Sequence, residues 1–378
     1  MSLRLLIVAG EASGDMHAAG LLKALRTQAG DIECYGIGGD ALQAQGMTLV
    51  RHIREMAVMG LAELLPKLFF FRRVFNETIV LAKERRPDAV ILVDYPDFNL
   101  RLAARFHAAG IKVIYYISPQ VWAWRRSRIP AMARTIDRLL VIFPFEPDTF
   151  KGTNLKVDYV GHPLLDETRL ELARPVPELP WQGEPRIALL PGSRRQEVLS
   201  MLPVYLDAAE IIAKLRPGAG FIIASPSDEI ADLARDRLKS RRGALARCEV
   251  VAGHTRQVVR TARVAMVASG TATLETALMR CPMAIAYKMA PLTFLLLRQL
   301  VSVEHIGMVN ILAGRTLCPE FIQSACRPSA LADAVCRLLD DSPERAAMLN
   351  GFAEVASKLG AGGAHDRAAA KVLEELHR

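Results

Sequence analysis

Asp94 closes the apolar run Ala89–Val93 and opens the segment Asp94-Tyr95-Pro96-Asp97-Phe98-Asn99. A carboxylate at the end of a buried strand is costly unless it has a partner or a proton to move. Asp94 is therefore a candidate general base. Pro96 forces a turn, and Asp97, just before a helical pattern, reads as the helix N-cap. Two carboxylates this close could also hold a cation, but a metal cage needs more oxygen ligands than these. No Asp-x-Asp occurs in the chain and no two histidines stand four apart, so neither a metal nor another cofactor is expected.

Four further segments carry possible chemistry. In Gly10-Glu11-Ala12-Ser13-Gly14-Asp15, small residues let the backbone turn tightly and approach a ligand. Glu11, Ser13 and Gly14 would then face it; the alternative is that Ser13 or Asp15 merely caps the helix. Ser118 to Arg126 holds two tryptophans and two arginines, which suit a sugar, a phosphate or a membrane interface, or equally a packed helix start with a solvated basic edge. Gly192, Ser193 and Arg194 put a turn, a hydroxyl and a cation at a helix start, an anion site without the GK[ST] of a Walker loop. At Ser269, Gly270 and Thr271 the N–H groups of another helix start could cradle phosphate oxygens. Glu275 lies one helical turn beyond Thr271 on the same face, placed to accept two ribose hydroxyls or to be an ordinary exposed acid. A nucleotide-sugar enzyme without a metal must neutralise its leaving diphosphate with arginine and helix dipoles, and these segments supply both.

Two stretches mix aromatics with cations. Leu64 to Phe75 holds four phenylalanines beside Arg72 and Arg73. Complete burial of such a stretch is difficult, so Phe69, Phe70, Phe71, Arg72 and Arg73 are expected to touch a membrane. Pro291 to Val301 has a weaker version of the pattern. A core helix with a charged edge is the alternative for both.

The elements that must position these residues alternate in type. Apolar, β-branched runs at Leu3–Val8, Ile32–Ile37, Ala89–Val93, Lys112–Ile117, Arg138–Ile142 and Val157–Val160 are separated by helical patterns such as His17–Arg26 and Leu100–Ala109. Four prolines between Leu172 and Pro185 break both helix and strand. Alternation then resumes at Ile187–Leu190, Phe221–Ala224, Glu249–Val251, Val264–Val267 and Met283–Ala286. The expected fold is α/β, with two doubly wound Rossmann-like domains facing a cleft at residues 1–171 and 186–345. A linker at 172–185 joins them and a helical segment at 346–378 follows. In such sheets ligands bind beyond the carboxyl ends of the strands, where the candidate residues fall.

Bulk properties narrow the partners. The 378 residues carry a formal charge of +8, and between Arg101 and Arg138 eight Lys/Arg face one acid, Asp137. An anionic partner follows; no helix-turn-helix, zinc-finger or RNP pattern points to nucleic acid. No apolar stretch reaches the length of a membrane span, and the N-terminus reads as a strand rather than a signal peptide. The six scattered cysteines form no CxxC pair and fit a reducing compartment. A cytoplasmic, soluble or peripheral protein is expected.

The ordered set GEASGD, AVMG (57–60), DYPDFN, SPQVWAWR, FPFE (143–146), VGHP (160–163), LPGSRRQE, SGTATLE and the segment Asn310–Arg315 resembles the lipid-A-disaccharide synthase family. The matches run in order from residue 10 to about residue 320. The resemblance implies a GT-B fold and transfer of 2,3-diacylglucosamine from UDP to the 6-hydroxyl of 2,3-diacylglucosamine 1-phosphate (lipid X). Asp94 would be the catalytic carboxylate, and Arg194, Glu275 and Asn310 would serve the UDP moiety, with Gly192, Ser193, Ser269, Gly270 and Thr271 beside them. Glu11, Ser13 and Gly14 would border the acceptor. The enzyme would work peripherally at the cytoplasmic face of the inner membrane, and a homodimer is compatible with it. Val309 departs from the family pattern, which has proline before the asparagine. The rival readings are another two-domain UDP-sugar enzyme, such as a UDP-N-acetylglucosamine 2-epimerase or a cell-wall lipid glycosyltransferase, and an inactive nucleotide- or lipid-binding protein.

Overall fold

The computed structural model describes residues 3–56, 64–289, 294 and 304–377, with side chains left out at 64–68. The motif at 57–60, and the stretch 291–301 apart from Phe294, lie outside the described residues. The chain divides into two compact units, one formed by Met1–Pro163 with Leu359–Arg378, the other by Leu164–Lys358.

The first unit is built on a parallel seven-stranded sheet: β1 (Leu3–Ala9), β2 (Ile32–Gly38), β3 (Thr48–His52), β4 (Ala89–Val93), β5 (Val113–Tyr116), β6 (Arg138–Val141) and β7 (Lys156–Tyr159), in the order β3-β2-β1-β4-β5-β6-β7. All five β4 residues are fully buried, so successive side chains are covered on both faces. That explains a continuous rather than alternating apolar run. The order reverses between β1 and β4, leaving the switch point where Gly10 and Asp94 emerge.

The second unit repeats the plan with β8 (Arg186–Leu190), β9 (Gly220–Ser225), β10 (Cys248–Ala252), β11 (Val264–Ala268), β12 (Met283–Tyr287) and β13 (Glu320–Ile322), ordered β10-β9-β8-β11-β12-β13. Its switch point lies between β8 and β11, which pair directly in parallel. The loops after them, at Gly192 and at Gly270, therefore leave the sheet side by side.

Two boundaries differ from the sequence expectation. The first unit ends at Pro163, and the helix Leu164–Ala173 belongs to the second. It is tied there through Glu171, which is buried and accepts a hydrogen bond from Gln257 Nε2 at 2.6 Å. The expected segment 346–378 is also divided, since its last helix, Ala364–Leu376, returns to the first unit and packs on the helix Ala12–Ala29. A buried ion network holds it: Arg138 Nε donates to Asp158 at 2.7 Å, and its Nη2 and Nη1 lie 3.3 Å and 3.5 Å from the carboxylates of Glu374 and Glu375. Lys156 reaches Glu375 at 3.0 Å. Arg138 is thus a structural cation and not part of a basic surface.

Removing one member of a buried ion cluster leaves its partners uncompensated. Arg138→Ala is expected to lower unfolding free energy by about 3–5 kcal/mol. Urea denaturation followed by circular dichroism measures it; a change below about 1 kcal/mol would mean the network contributes little.

Candidate active site

Asp94 sits at the carboxyl end of β4, partly exposed, on an unusual turn. Asp94 and Tyr95 both take left-handed backbone angles, with φ of 47° and 50°. For residues with a Cβ each costs on the order of 1–2 kcal/mol. The turn is held by its own backbone groups: Asp94 N–H donates to the Tyr116 carbonyl at 3.0 Å, and its carbonyl accepts from Tyr115 Oη at 2.6 Å and Asn99 Nδ2 at 2.8 Å.

Pro96 starts the following helix, Pro96–Ala108, and Tyr95 is its N-cap. Asp97 is therefore not the cap. It is exposed and pairs with Arg125, at 3.2 Å, and with Arg128. Burial works against ionisation there, but the Arg128 hydrogen bond and the charges of Arg128, Arg125 and Arg101 hold the Asp97 carboxyl below its ordinary range.

The Gly10–Asp15 loop departs from the ligand-cradle expectation. A Cβ on Gly10 would lie 2.3 Å from the Tyr95 ring, so this glycine admits an aromatic side chain. Gly14 is buried, facing Val93 and Ala9, where it brings the helix against the sheet. Glu11 and Ser13 are exposed at the start of that helix, Glu11 as N-cap without a side-chain capping bond. Asp15 caps a different element: its carboxylate accepts from the N–H groups of Gly39, Ala41 and Leu42 at 2.6, 2.9 and 3.3 Å, at the start of the helix Asp40–Ala44.

An aromatic group follows β5 and β6. Trp122 meets Phe145 edge-on at 5.0 Å, and Phe145 stacks on Phe143 at 5.6 Å. Arg125 lies over Trp124, 4.4 Å from the ring centroid. Below them Glu146 is buried, its carboxylate accepting from the N–H groups of Phe143 and Ile142 at 2.9 and 3.1 Å. Burial pushes its carboxyl up to about 8, against the opposing effect of those N–H groups and Trp122.

In the second unit the loop after β8 is partly filled by the protein itself. Glu197 accepts from the N–H groups of Ser193 and Arg194 at 3.1 and 3.2 Å, so these donors are already used. Gly192, at φ 121°, passes so close to Glu197 that a Cβ would lie 2.7 Å from it. The loop presents side chains: Ser193 is exposed, and Arg194 is 71% exposed while standing 3.9 Å from Glu197. Tyr287, at the end of β12, feels both Glu197 and Arg194, and burial together with Glu197 raises its phenol above the ordinary value.

After β11, Ser269 is also occupied, its N–H donating to the Ala286 carbonyl and its hydroxyl to the Ile306 carbonyl at 2.8 Å. It fixes the loop rather than offering donors to phosphate. Gly270, at φ 155° with open space around it, and exposed Thr271 lead into the helix Thr271–Leu278. The first N–H groups of an α-helix have no acceptor within it, so this helix start could face an anion. Glu275 is not a free helical acid: half-buried Arg256 bridges it to Glu167. Burial opposes the Arg256 charge, but the two carboxylates hold its pKa above the ordinary value.

Asn310 is fully buried and its amide is satisfied internally. Nδ2 donates to Cys318 O and Glu320 Oε1, both at 2.8 Å, and Oδ1 accepts from the N–H groups of Leu317 and Cys318. It organises the approach to β13. Val309 is the second residue of the helix Met308–Ala313, where an N–H has no helical acceptor, so valine and proline are both compatible with this geometry.

The aromatic-basic stretch forms part of the helix Leu64–Arg85. Phe69 is 70% exposed, but Phe70 and Phe71 pack against the core, Phe71 meeting Phe98 at 6.4 Å. Arg73 pairs with Glu77 at 2.8 Å. Of the expected membrane contacts, Phe69 and Arg72 are exposed, and no such partner among the described residues accounts for their position.

Sequence reasoning missed Arg256, Tyr287, Asn99 and Tyr115 as site-shaping residues. Arg256 follows the carboxyl end of β10, so the rule applied to the other strands would have reached it. Tyr115 is hidden in an apolar run, where only topology shows which residue its hydroxyl meets.

Two parallel Rossmann sheets of the same strand order, each with polar loops at its switch point, define the GT-B glycosyltransferase architecture. Solved structures agree at the level of fold. The glycotransferase of kitacinnamycin has a TM-score of 0.65 at 15% identity, covering 99% of both chains. A UDP-N-acetylglucosamine 2-epimerase has a TM-score of 0.60 at 12% identity, covering 93% of this chain and 91% of that one. The chain belongs to the lipid-A-disaccharide synthase family, whose model, described as lipid-A-disaccharide synthetase, matches residues 5–365. The lipid-A-disaccharide synthase of Myxococcus xanthus is 40% identical over 99% of this chain and 97% of its own. That of Anaeromyxobacter dehalogenans is 41% identical over 98% and 97%. The likeness to the epimerase is one of fold only.

The raised pKa of Glu146 sets a sign. Its folded value of about 8 exceeds the ordinary 4.5, so its contribution is present below about 4.5 and is lost as pH rises through about 8. Relative to Glu146→Gln, the native chain should lose thermal stability between pH 5 and 9. Parallel melting curves for the two proteins across that range would show that Glu146 does not titrate this way.

Proposed function

We propose that the chain is an inverting glycosyltransferase that moves a 2,3-diacylglucosaminyl group from UDP to the 6-hydroxyl of 2,3-diacylglucosamine 1-phosphate (lipid X). Asp94 accepts the hydroxyl proton as the new O–C1 bond forms. The bond from C1 to the diphosphate breaks with its electron pair leaving on UDP, giving the β-1,6-linked disaccharide 1-phosphate. The observation that carries this reading is a partly exposed carboxylate at the switch point of the first sheet, on a strained turn that three hydrogen bonds maintain.

The donor is assigned to the second unit. Arg194, with Ser193, neutralises the diphosphate; Gly270 and Thr271 offer N–H groups to its oxygens; Glu275, oriented by Arg256, accepts the ribose hydroxyls. No metal takes part. The acyl chains of an amphiphilic acceptor suit peripheral contact with the cytoplasmic face of the inner membrane through Phe69 and Arg72. Among the described residues no helix is long and apolar enough to cross a membrane. Glu11 and Ser13 border the acceptor, and a homodimer is compatible with the scheme.

Loss of a general base costs about 10²–10⁴ in rate. Asp94→Ala should fall in that range with UDP affinity retained, and turnover near the native rate would reject the assignment. Arg194→Ala should mainly weaken UDP binding; unchanged affinity by calorimetry counts against a diphosphate contact.

A further inference from the structure

The side chain of Asn99 is fully buried at the switch point of the first unit. Its Nδ2 faces three carbonyl oxygens: Asp94 at 2.8 Å, Val93 at 3.2 Å and Val8 at 3.4 Å. Val93 closes β4 and Val8 lies one residue from the end of β1, so a single amide bonds the ends of two paired strands whose connections diverge beyond them. The chemistry is selective. An aspartate at this position would set a carboxylate against three carbonyl oxygens, whereas an amide supplies two N–H donors to them.

Tyr115 completes the arrangement from β5. It is fully buried, and its hydroxyl donates to the same Asp94 carbonyl at 2.6 Å. Burial and the Asp94 charge both keep this phenol protonated, hence a permanent donor. The Asp94 carbonyl thus has two side-chain donors from two elements, and its N–H is held by β5 as well. The left-handed angles of Asp94 and Tyr95 need such support, since an ordinary strand end would carry neither.

We propose that Asn99 and Tyr115 are positioning residues for the reaction: they hold the Asp94 backbone in its left-handed turn and thereby fix where its carboxylate meets the acceptor hydroxyl. The proposal rests on Asp94 being the general base. Neither side chain needs to touch substrate. A misplacement of about 1 Å in a reacting group can cost about 10²-fold in rate, so a modest relaxation of this turn is enough to be measured.

The test compares Tyr115→Phe and Asn99→Ala in the native chain and in the Asp94→Ala background, with kcat and KM measured for acceptor-dependent UDP release. Tyr115→Phe should lower kcat about 10-fold or more with the donor KM unchanged, and Asn99→Ala should lower it further. In the Asp94→Ala background neither should cause a further loss, because the group being positioned is gone. Should Asn99→Ala fail to fold, Tyr115→Phe, which removes one oxygen and keeps the ring, carries the comparison alone. Equal fold-losses in both backgrounds would assign the pair a general structural role and overturn the proposal. Native turnover in Tyr115→Phe and Asn99→Ala with Asp94→Ala impaired would overturn it while leaving the base in place. Native turnover in Asp94→Ala would remove the base, and the positioning role with it.

Discussion

Where the order of a parallel sheet reverses, two neighbouring strands send their connections to opposite sides, and their carboxyl ends are left without a crossing chain above them. Backbone carbonyls there must be satisfied without filling the space a substrate needs. In the first unit the Asn99 amide does this from below, bonding carbonyls of both β1 and β4. The left-handed turn at Asp94, the Tyr95 ring lying over Gly10 and the partial exposure of the carboxylate all depend on that support.

The second unit meets the same constraint with different groups. Glu197 takes the N–H groups of Ser193 and Arg194, and Ser269 ties its loop to Ile306. Asn310 and Glu320 then secure the neighbouring turn, with Glu320 accepting from the N–H groups of Ile306 and Gly307. Much of what looks like anion-binding equipment is thus consumed in shaping the loops. What is left exposed is a smaller set, the Arg194 side chain and the Gly270–Thr271 helix start, with the Glu275 carboxylate held by Arg256 and only 19% exposed.

The interior strands were legible in the sequence because burial on both faces leaves a continuous apolar run, and β4 was read to the residue. The missed strands, β3 and β13, lie at sheet edges. All five residues of Thr48–His52 and all three of Glu320–Ile322 are at least partly exposed, so they include polar side chains and give no apolar run. Asp94 stood out as a candidate because a charge at the end of a buried strand is conspicuous. The internal bonding of Asn310 was not legible, because a saturated buried amide and a ligand-binding amide have the same letter. Gly10 poses a similar difficulty, as a glycine that admits a ring cannot be told by spacing from one that admits a phosphate. The last helix was legible as a helix, but its return to the first unit rests on Arg138 and Glu375, some 237 residues apart in sequence.

Transfer to a lipid acceptor is tested most directly by UDP release from UDP-2,3-diacylglucosamine, with and without 2,3-diacylglucosamine 1-phosphate, in detergent and EDTA. Release that requires the acceptor and persists in EDTA is the predicted result. Release without acceptor, or none from folded protein that binds UDP, would contradict it and leave a different UDP-sugar reaction or a binding protein in its place.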